Sequence, residues 1–367
     1  MIKKYDGKMG FREFFIIIFL SISLMITDTT PTLLIKNGMN AAWMIPIISG
    51  LITLLPISCL LSLLKLYGDK NLIDIIFHLT GKYLGYIIVI LLLLITFEYS
   101  VISTREYTDI LSTMFYLNTP MYFLLLILVA SSSYIASKGI SIIGSLAWFL
   151  CPFVMGSLLI LIPVAWKEAN FNYLFPLGGP GIAVLLEKGV INATILDILL
   201  ISSVFFTKIR SYREYKSAIL WGLGASSLLV SFFMIIYIGV FGYPTLTSII
   251  YPHQQLTRLV HLGRYATNTE AVYLWFWVIA STIRFGVFYY ANAAIIASIM
   301  NIKKSKPLSL IIGIMIFIIA MIPENYTKYI LVFRSAAISY LWTYIIGLPL
   351  LLWIIAKVRG EFKNEKA

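Results

Sequence analysis

Four ionisable side chains, Asp28, Glu98, Asp197 and Arg284, sit at the centres of long apolar runs. A charge at the centre of a bilayer costs roughly 2.5–3.5 kcal/mol or more, so such a group faces a cavity, a partner or a ligand rather than hydrocarbon. The chemistry open to this set is electrostatic: holding a small charged solute, a proton or a cation. No nucleophile–base pair and no metal-ligand spacing accompanies it, which points away from an enzyme and calls for no cofactor.

The surroundings of each charge sharpen the reading. Thr27-Asp28-Thr29-Thr30-Pro31-Thr32 places helix-poor residues inside a continuous apolar run, with Pro31 removing one backbone donor. Unwound segments of this kind expose backbone carbonyls and amides at membrane depth, where transporters hold ions and zwitterions; the alternative is a proline kink whose hydroxyls bond back to the helix. Glu98, Ile102, Arg105 and Asp109 form a stripe on one helix face, with Glu98 deepest and Arg105 and Asp109 spaced for an ion pair at the rim. Asp197 is followed by Ser202 and Ser203. Arg284 demands an anion, which is either a ligand or Glu98 or Asp197. Three acids against one base leave excess negative charge, so a proton or a monovalent cation is expected in the site. The candidate ligand-binding residues are therefore Thr27, Asp28, Thr29, Thr30, Glu98, Asp197, Ser202, Ser203 and Arg284.

The elements that must position them are membrane spans. Hydrophobic residues make up 60% of the chain and charged residues only 12%, where soluble domains hold about a quarter. About ten apolar stretches of spanning length fill the 367 residues, leaving one all-α, polytopic domain over 1–367 and no room for a soluble catalytic one. Span 1 covers 14–35, span 3 covers 84–110, span 6 covers 191–207, span 8 covers 271–300 and span 10 covers 336–356. An amphipathic stretch precedes span 3. The basic residues before span 1 also suit a signal peptide, but Thr27 to Pro31 is no cleavage site, so the span is read as retained. Lys and Arg concentrate in segments that share one side when the span count is even, which puts both termini in the cytoplasm. The net charge of +12 is scattered at helix ends and forms no nucleic-acid-binding stripe. Two longer loops, 167–190 and 243–269, either cap the site or lie along the interface. His253 and His261 are too isolated to hold a metal.

Further marks carry a resemblance. Arg105 and Asp109 precede Asn118-Thr119-Pro120; a basic run occupies 208–216; Phe241-Gly242 is followed by Tyr251-Pro252; and Glu270 and Trp277-Val278-Ile279 lead to Tyr289-Tyr290-Ala291-Asn292. In order and spacing these marks resemble the B subunit of spore germinant receptors, the endospore germination permeases of the amino acid–polyamine–organocation superfamily. The resemblance implies a 5+5 inverted repeat, repeat one about 12–167 and repeat two about 178–357, with spans 1 and 6 interrupted and spans 1, 3, 6 and 8 lining a central site. It also implies a small-molecule germinant, commonly an amino acid, sensed in the spore inner membrane beside an A-type membrane subunit and a C-type lipoprotein.

Two departures stand out. Family members carry glycine-containing small residues at the span 1 break, where backbone amides receive an amino-acid carboxylate; here the place is Thr27-Asp28-Thr29. A carboxylate there repels the ligand's own unless a proton or cation neutralises it, so the expectation is either a preference moved from a simple neutral amino acid toward an amine or a site with a bound cation. Span 6 holds no internal Gly or Pro, so its interruption has no obvious cause. A secondary amino-acid transporter coupled to a proton or cation is the competing function, and a shared fold does not separate the two.

Overall fold

The computed structural model describes residues 7–259, 269–302, 306–323 and 326–362, and within these it is helical, with a single isolated bridge between Met9 and Ile209. His261, Arg264, Lys303 and Lys304 lie outside the described residues. The helices are α1 (Phe11–Ser23), α2 (Thr30–Gly38), α3 (Met44–Leu66), α4 (Leu72–Ile110), α5 (Met121–Lys138), α6 (Ile140–Glu168), α7 (Ile182–Ile191) and α8 (Ile198–Ile201). They continue as α9 (Tyr212–Phe241), α10 (Tyr243–Leu246), α11 (Pro252–Leu259), α12 (Thr269–Ile299), α13 (Lys306–Met321) and α14 (Tyr326–Val358). Among the described residues, seven helices are long and apolar enough to cross a membrane, and two further crossings are bent pairs. The shorter apolar α13 brings the set to the expected size. The protein is a multi-pass membrane protein.

The bent pairs open the two halves of the chain. In the first, helical bonding gives way to a 3-10 turn over Leu24–Thr27, Asp28 is extended, and α2 departs at 71° to what precedes it. Pro31 lies in the first turn of α2, where its missing N–H costs nothing, so it starts a second helix rather than kinking the first. In the second pair, Ile182–Leu196 and Ile198–Lys208 meet at 42°. No glycine or proline makes this break. Asn192 and Thr194 turn their side chains onto the carbonyls of Lys188 and Ile191, and Ser202 and Ser203 bond back to Leu199 and Leu200. Polar side chains competing for main-chain carbonyls loosen both flanks into 3-10 turns. The interruption of span 6 thus has a cause, and α7, expected within a loop, forms its first half.

Capping fixes where the other spans begin. Asn71 Oδ1 accepts from Ile73 N at 2.8 Å and Asp74 N at 3.1 Å, which starts α4. Gly81, at φ +76°, then separates the amphipathic turn from the span proper. Along α4, Thr96, Ser100, Thr104 and Thr108 form a buried column, each hydroxyl bonding the carbonyl four residues back. The column docks on α12: the Thr104 and Tyr289 hydroxyls are 2.9 Å apart, and Asn292 Nδ2 donates to Ser100 Oγ at 2.9 Å. Large apolar residues such as Leu51, Leu55, Tyr83, Ile87 and Leu94 are left exposed, as a lipid-facing surface requires.

Candidate functional site

The break in span 1 frees backbone groups at the centre of the bundle, and side chains from other helices meet them. Tyr107 OH donates to Leu24 O at 2.8 Å, Tyr237 OH to Ile26 O at 3.2 Å, and Gln254 Nε2 to Thr27 O at 2.7 Å. Thr29 N donates to Glu106 Oε1 at 2.7 Å and Thr30 N to Asp28 Oδ1 at 2.7 Å. Thr27 Oγ1 receives Trp277 Nε1 at 2.9 Å and lies 3.0 Å from Tyr107 OH. Leaving such groups unmet in a low-dielectric interior costs about 1–3 kcal/mol each, so this lattice is what makes the break tolerable.

Two guanidiniums lie among the acids. Arg334 Nη2 donates to Asp28 Oδ1 at 3.1 Å and to Thr30 Oγ1 at 2.6 Å, while its Nη1 donates to Thr29 Oγ1 at 2.7 Å and to Glu106 Oε2. Arg284 Nη1 donates to Tyr107 OH at 2.9 Å and stands 3.8 Å from Asp28 Oδ2, and its Nη2 donates to Tyr99 OH. The Arg284 guanidinium also stacks near the Tyr99 and Tyr107 rings, 5.6 and 5.8 Å from their centroids. Asp28, Glu106 and Arg284 are each no more than 1% exposed. Among the described residues, Asp28 Oδ2 has no hydrogen-bond partner.

A cavity of about 60 Å³ adjoins this cluster, walled by Glu98, Tyr99, Ser103, Thr194, Asp197 and Arg334 among apolar residues of α4 and α14. Asp197 sits at the junction of the two pieces of span 6. With formal charges, Asp28, Glu106 and Asp197 outnumber Arg284 and Arg334, and Glu98 adds a further acid at the rim.

The expected residues divide accordingly. Thr27, Asp28, Thr29, Thr30 and Arg284 converge on one buried cluster. Asp197 and Glu98 border the adjoining cavity, but Glu98 is only half-buried, and both its carboxylate oxygens lie 3.3 Å from Tyr340 OH. Ser202 and Ser203 stand apart, their hydroxyls folded onto their own helix, with Ser202 also 3.3 Å from Tyr215 OH. Arg105 and Asp109 each engage a neighbouring element: Arg105 donates to Ala320 O and Pro323 O at the end of α13, and Asp109 accepts from Tyr251 OH at 2.8 Å.

Sequence reasoning missed Glu106 and Arg334. Glu106 lies two turns along α4 from Glu98 on the same general face, a spacing that flags it in retrospect. Arg334 looked like a loop charge, yet it lies inside α14, which begins at Tyr326. The loop between α9 and α12 also turns inward. Thr32 Oγ1 donates to Ile249 O at 2.7 Å, and α11 presents His253 and Gln254, both fully buried, to the break.

Comparison with known proteins bears on this arrangement. A family model described as spore germination protein matches residues 9–329. Spore germination protein YndE of Bacillus subtilis (strain 168) is 23% identical over 328 residues, 87% of this chain and 88% of that one. Spore germination protein B2 of the same strain is 18% identical over 366 residues, 98% of each chain. Among solved structures, the nucleobase-cation-symport-1 family transporter Mhp1, in a closed conformation with bromovinylhydantoin bound, superposes with a TM-score of 0.66 at 12% identity. That match covers 94% of this chain and 78% of the other, and it concerns the fold.

Proposed function

The chain belongs to the spore germination protein family, and from that premise we propose that it is the membrane subunit of a spore germinant receptor. It binds a small nutrient, an amino acid or a related amine, between the broken spans 1 and 6. Occupancy shifts a conformational equilibrium that an A-type membrane subunit and a C-type lipoprotein read. The subunit sits in the spore inner membrane with both termini cytoplasmic, and a proton or monovalent cation accompanies the ligand. The observation that carries this reading is the buried set of Asp28, Glu106, Arg284 and Arg334 around an unwound backbone, opening on a cavity walled by Asp197 and Glu98. An arrangement built only for rigidity gains little from excess buried charge, which apolar packing replaces at no loss.

A secondary transporter is the second reading, favoured by the fold shared with a symport-family transporter. Two measurements separate them. Spores carrying Asp28→Asn or Arg284→Gln in place of the parent chain should lose their response to the nutrient that triggers the parent, with protein levels kept. Vesicles holding this chain alone should not accumulate labelled amino acid or amine. Accumulation would establish transport, and an intact nutrient response in both variants would remove the site.

A further inference from the structure

The positive end of α2 is already filled. In a broken span the first amides of the second helix point into the bundle with no intrahelical partner, and the helix dipole favours an anion against them. Here the anions belong to the protein. Glu106 Oε1 accepts from Thr29 N at 2.7 Å, and Asp28 Oδ1 accepts from Thr30 N at 2.7 Å. Arg334 then closes over both carboxylates, donating to Asp28 Oδ1, to Glu106 Oε2 and to the hydroxyls of Thr29 and Thr30. Glu106 is fully buried and comes from α4, so its carboxylate is delivered to the break from outside that helix pair.

The carbonyl side of the break is satisfied as well, by Tyr107, Tyr237 and Gln254. Arg284 is turned to Tyr107, Tyr99 and Asp28. An incoming carboxylate therefore finds the Thr29 and Thr30 amides already bonded to acids, and the guanidiniums of Arg284 and Arg334 already facing acids. At the cavity wall it finds Asp197 and Glu98, which repel it, beside an Arg334 whose guanidinium is already engaged by Asp28 and Glu106. A cation meets the opposite field. The acids of the cluster and cavity outnumber its arginines, and Tyr99 adds an aromatic face to the wall.

We propose that Glu106 acts as a built-in carboxylate at the broken span, so the site takes a small organic ammonium ion that lacks a carboxylate, held at the Asp197 and Glu98 side of the cavity. The proposal rests on the ligand site named above and narrows its substrate class. A zwitterion brings the same anion that Glu106 already supplies, and the two compete for one position.

The test uses the purified full-length chain in nanodiscs, with calorimetric titration of ethylammonium, L-alanine, acetate and sodium chloride at matched ionic strength. Ethylammonium should bind at least tenfold more tightly than L-alanine, and acetate and sodium should give no saturable heat. Glu106→Gly empties the position: ethylammonium alone should then bind at least tenfold more weakly, with acetate restoring it, and L-alanine should gain. Glu106→Gln keeps the shape without the charge. Being filled, it should weaken ethylammonium without rescue by acetate, which controls for a folding defect in the glycine variant. L-alanine binding the parent chain as tightly as ethylammonium overturns the built-in carboxylate while leaving the ligand site intact. Binding of none of the probes overturns both, and saturation by sodium alone overturns the ammonium assignment.

Discussion

Arg334 Nη2 lies 3.1 Å from Asp28 Oδ1, joining the last helix of the chain to the break in its first span. The side chain of Asp28 is 1% exposed and that of Arg334 12%, so the bond is shielded from the solvent that makes surface pairs nearly worthless. Removing one partner strands the other. Arg334→Leu should cost about 3–5 kcal/mol, and Asp28→Asn should cost less because the amide still accepts from Thr30 N. The double variant should lose less than the sum, with a coupling of about 1–3 kcal/mol in a denaturant or thermal cycle. Additivity would mean that the two side chains do not act together.

Glu98 offers the contrast. It stood beside Asp28 in the sequence reading, but among the described residues its half-buried carboxylate meets the exposed Tyr340 hydroxyl, 3.3 Å from each oxygen. Glu98→Gln should change stability by less than about 1 kcal/mol, while weakening ammonium binding if that carboxylate helps to face the cavity. Thermal unfolding alongside titration separates the two effects. A large stability loss would place Glu98 in the buried network instead.

Much of this was legible because hydrocarbon tolerates so little. Charges at the centres of apolar runs flagged Asp28, Asp197 and Arg284, and the Thr27–Thr32 composition flagged the break. What escaped were charges near the ends of runs. Glu106 and Arg334 lie where α4 and α14 leave their most apolar stretch, so run-centred reading assigned one to no role and the other to a loop. Ser202 and Ser203 lie apart from the cluster for another reason. They share a span with Asp197, but the segment around them is 3-10, and their hydroxyls bond the carbonyls three residues back.

Among the described residues, the loop helix α11 is tied to the bundle by His253 on Tyr237, Gln254 on the Thr27 carbonyl and Arg258 on the Met114 carbonyl. Tyr251 OH donates to Asp109 Oδ2 at 2.8 Å just before α11 begins. Tyr251→Phe leaves the Asp109 carboxylate short of a donor at a cost of about 1–3 kcal/mol. Hydrogen exchange over 252–259 should accelerate, and ligand on- and off-rates should rise together if the loop gates the site. Unchanged exchange would mean that the Gln254, His253 and Arg258 contacts hold α11 without Tyr251.

Close helix approach gives a prediction free of electrostatics. A Cβ built on Gly313 of α13 overlaps Ser133 Oγ of α5, and the Ser133 hydroxyl is buried with no hydrogen-bond partner. Gly313→Ala should therefore destabilise by about 1–3 kcal/mol through overpacking. Ser133→Gly alone should be mild, and the pair together should recover most of the loss. A neutral Gly313→Ala would show that α5 and α13 separate freely.

His253 makes pH the last lever. It is fully buried on α11, outside the spanning helices, with Nδ1 2.6 Å from Tyr237 OH, the Tyr273 ring 4.8 Å away and the Phe233 ring 5.6 Å away. None of these neighbours is charged, and burial pushes the imidazole from 6.5 down to about 3. The folded chain keeps His253 neutral while the unfolded chain protonates it near 6.5, so between those values the unfolded state holds the extra proton. Its contribution to stability is complete above pH 6.5 and is lost as pH falls, by about 1.4 kcal/mol per unit until about pH 3. His253→Gln removes the titration, so the difference in unfolding free energy between parent and variant should shrink steadily from pH 7 to pH 4. A difference constant over that range would mean that water or an acid reaches the ring, and that α11 is less tightly seated on the break than the contacts of His253 and Gln254 require.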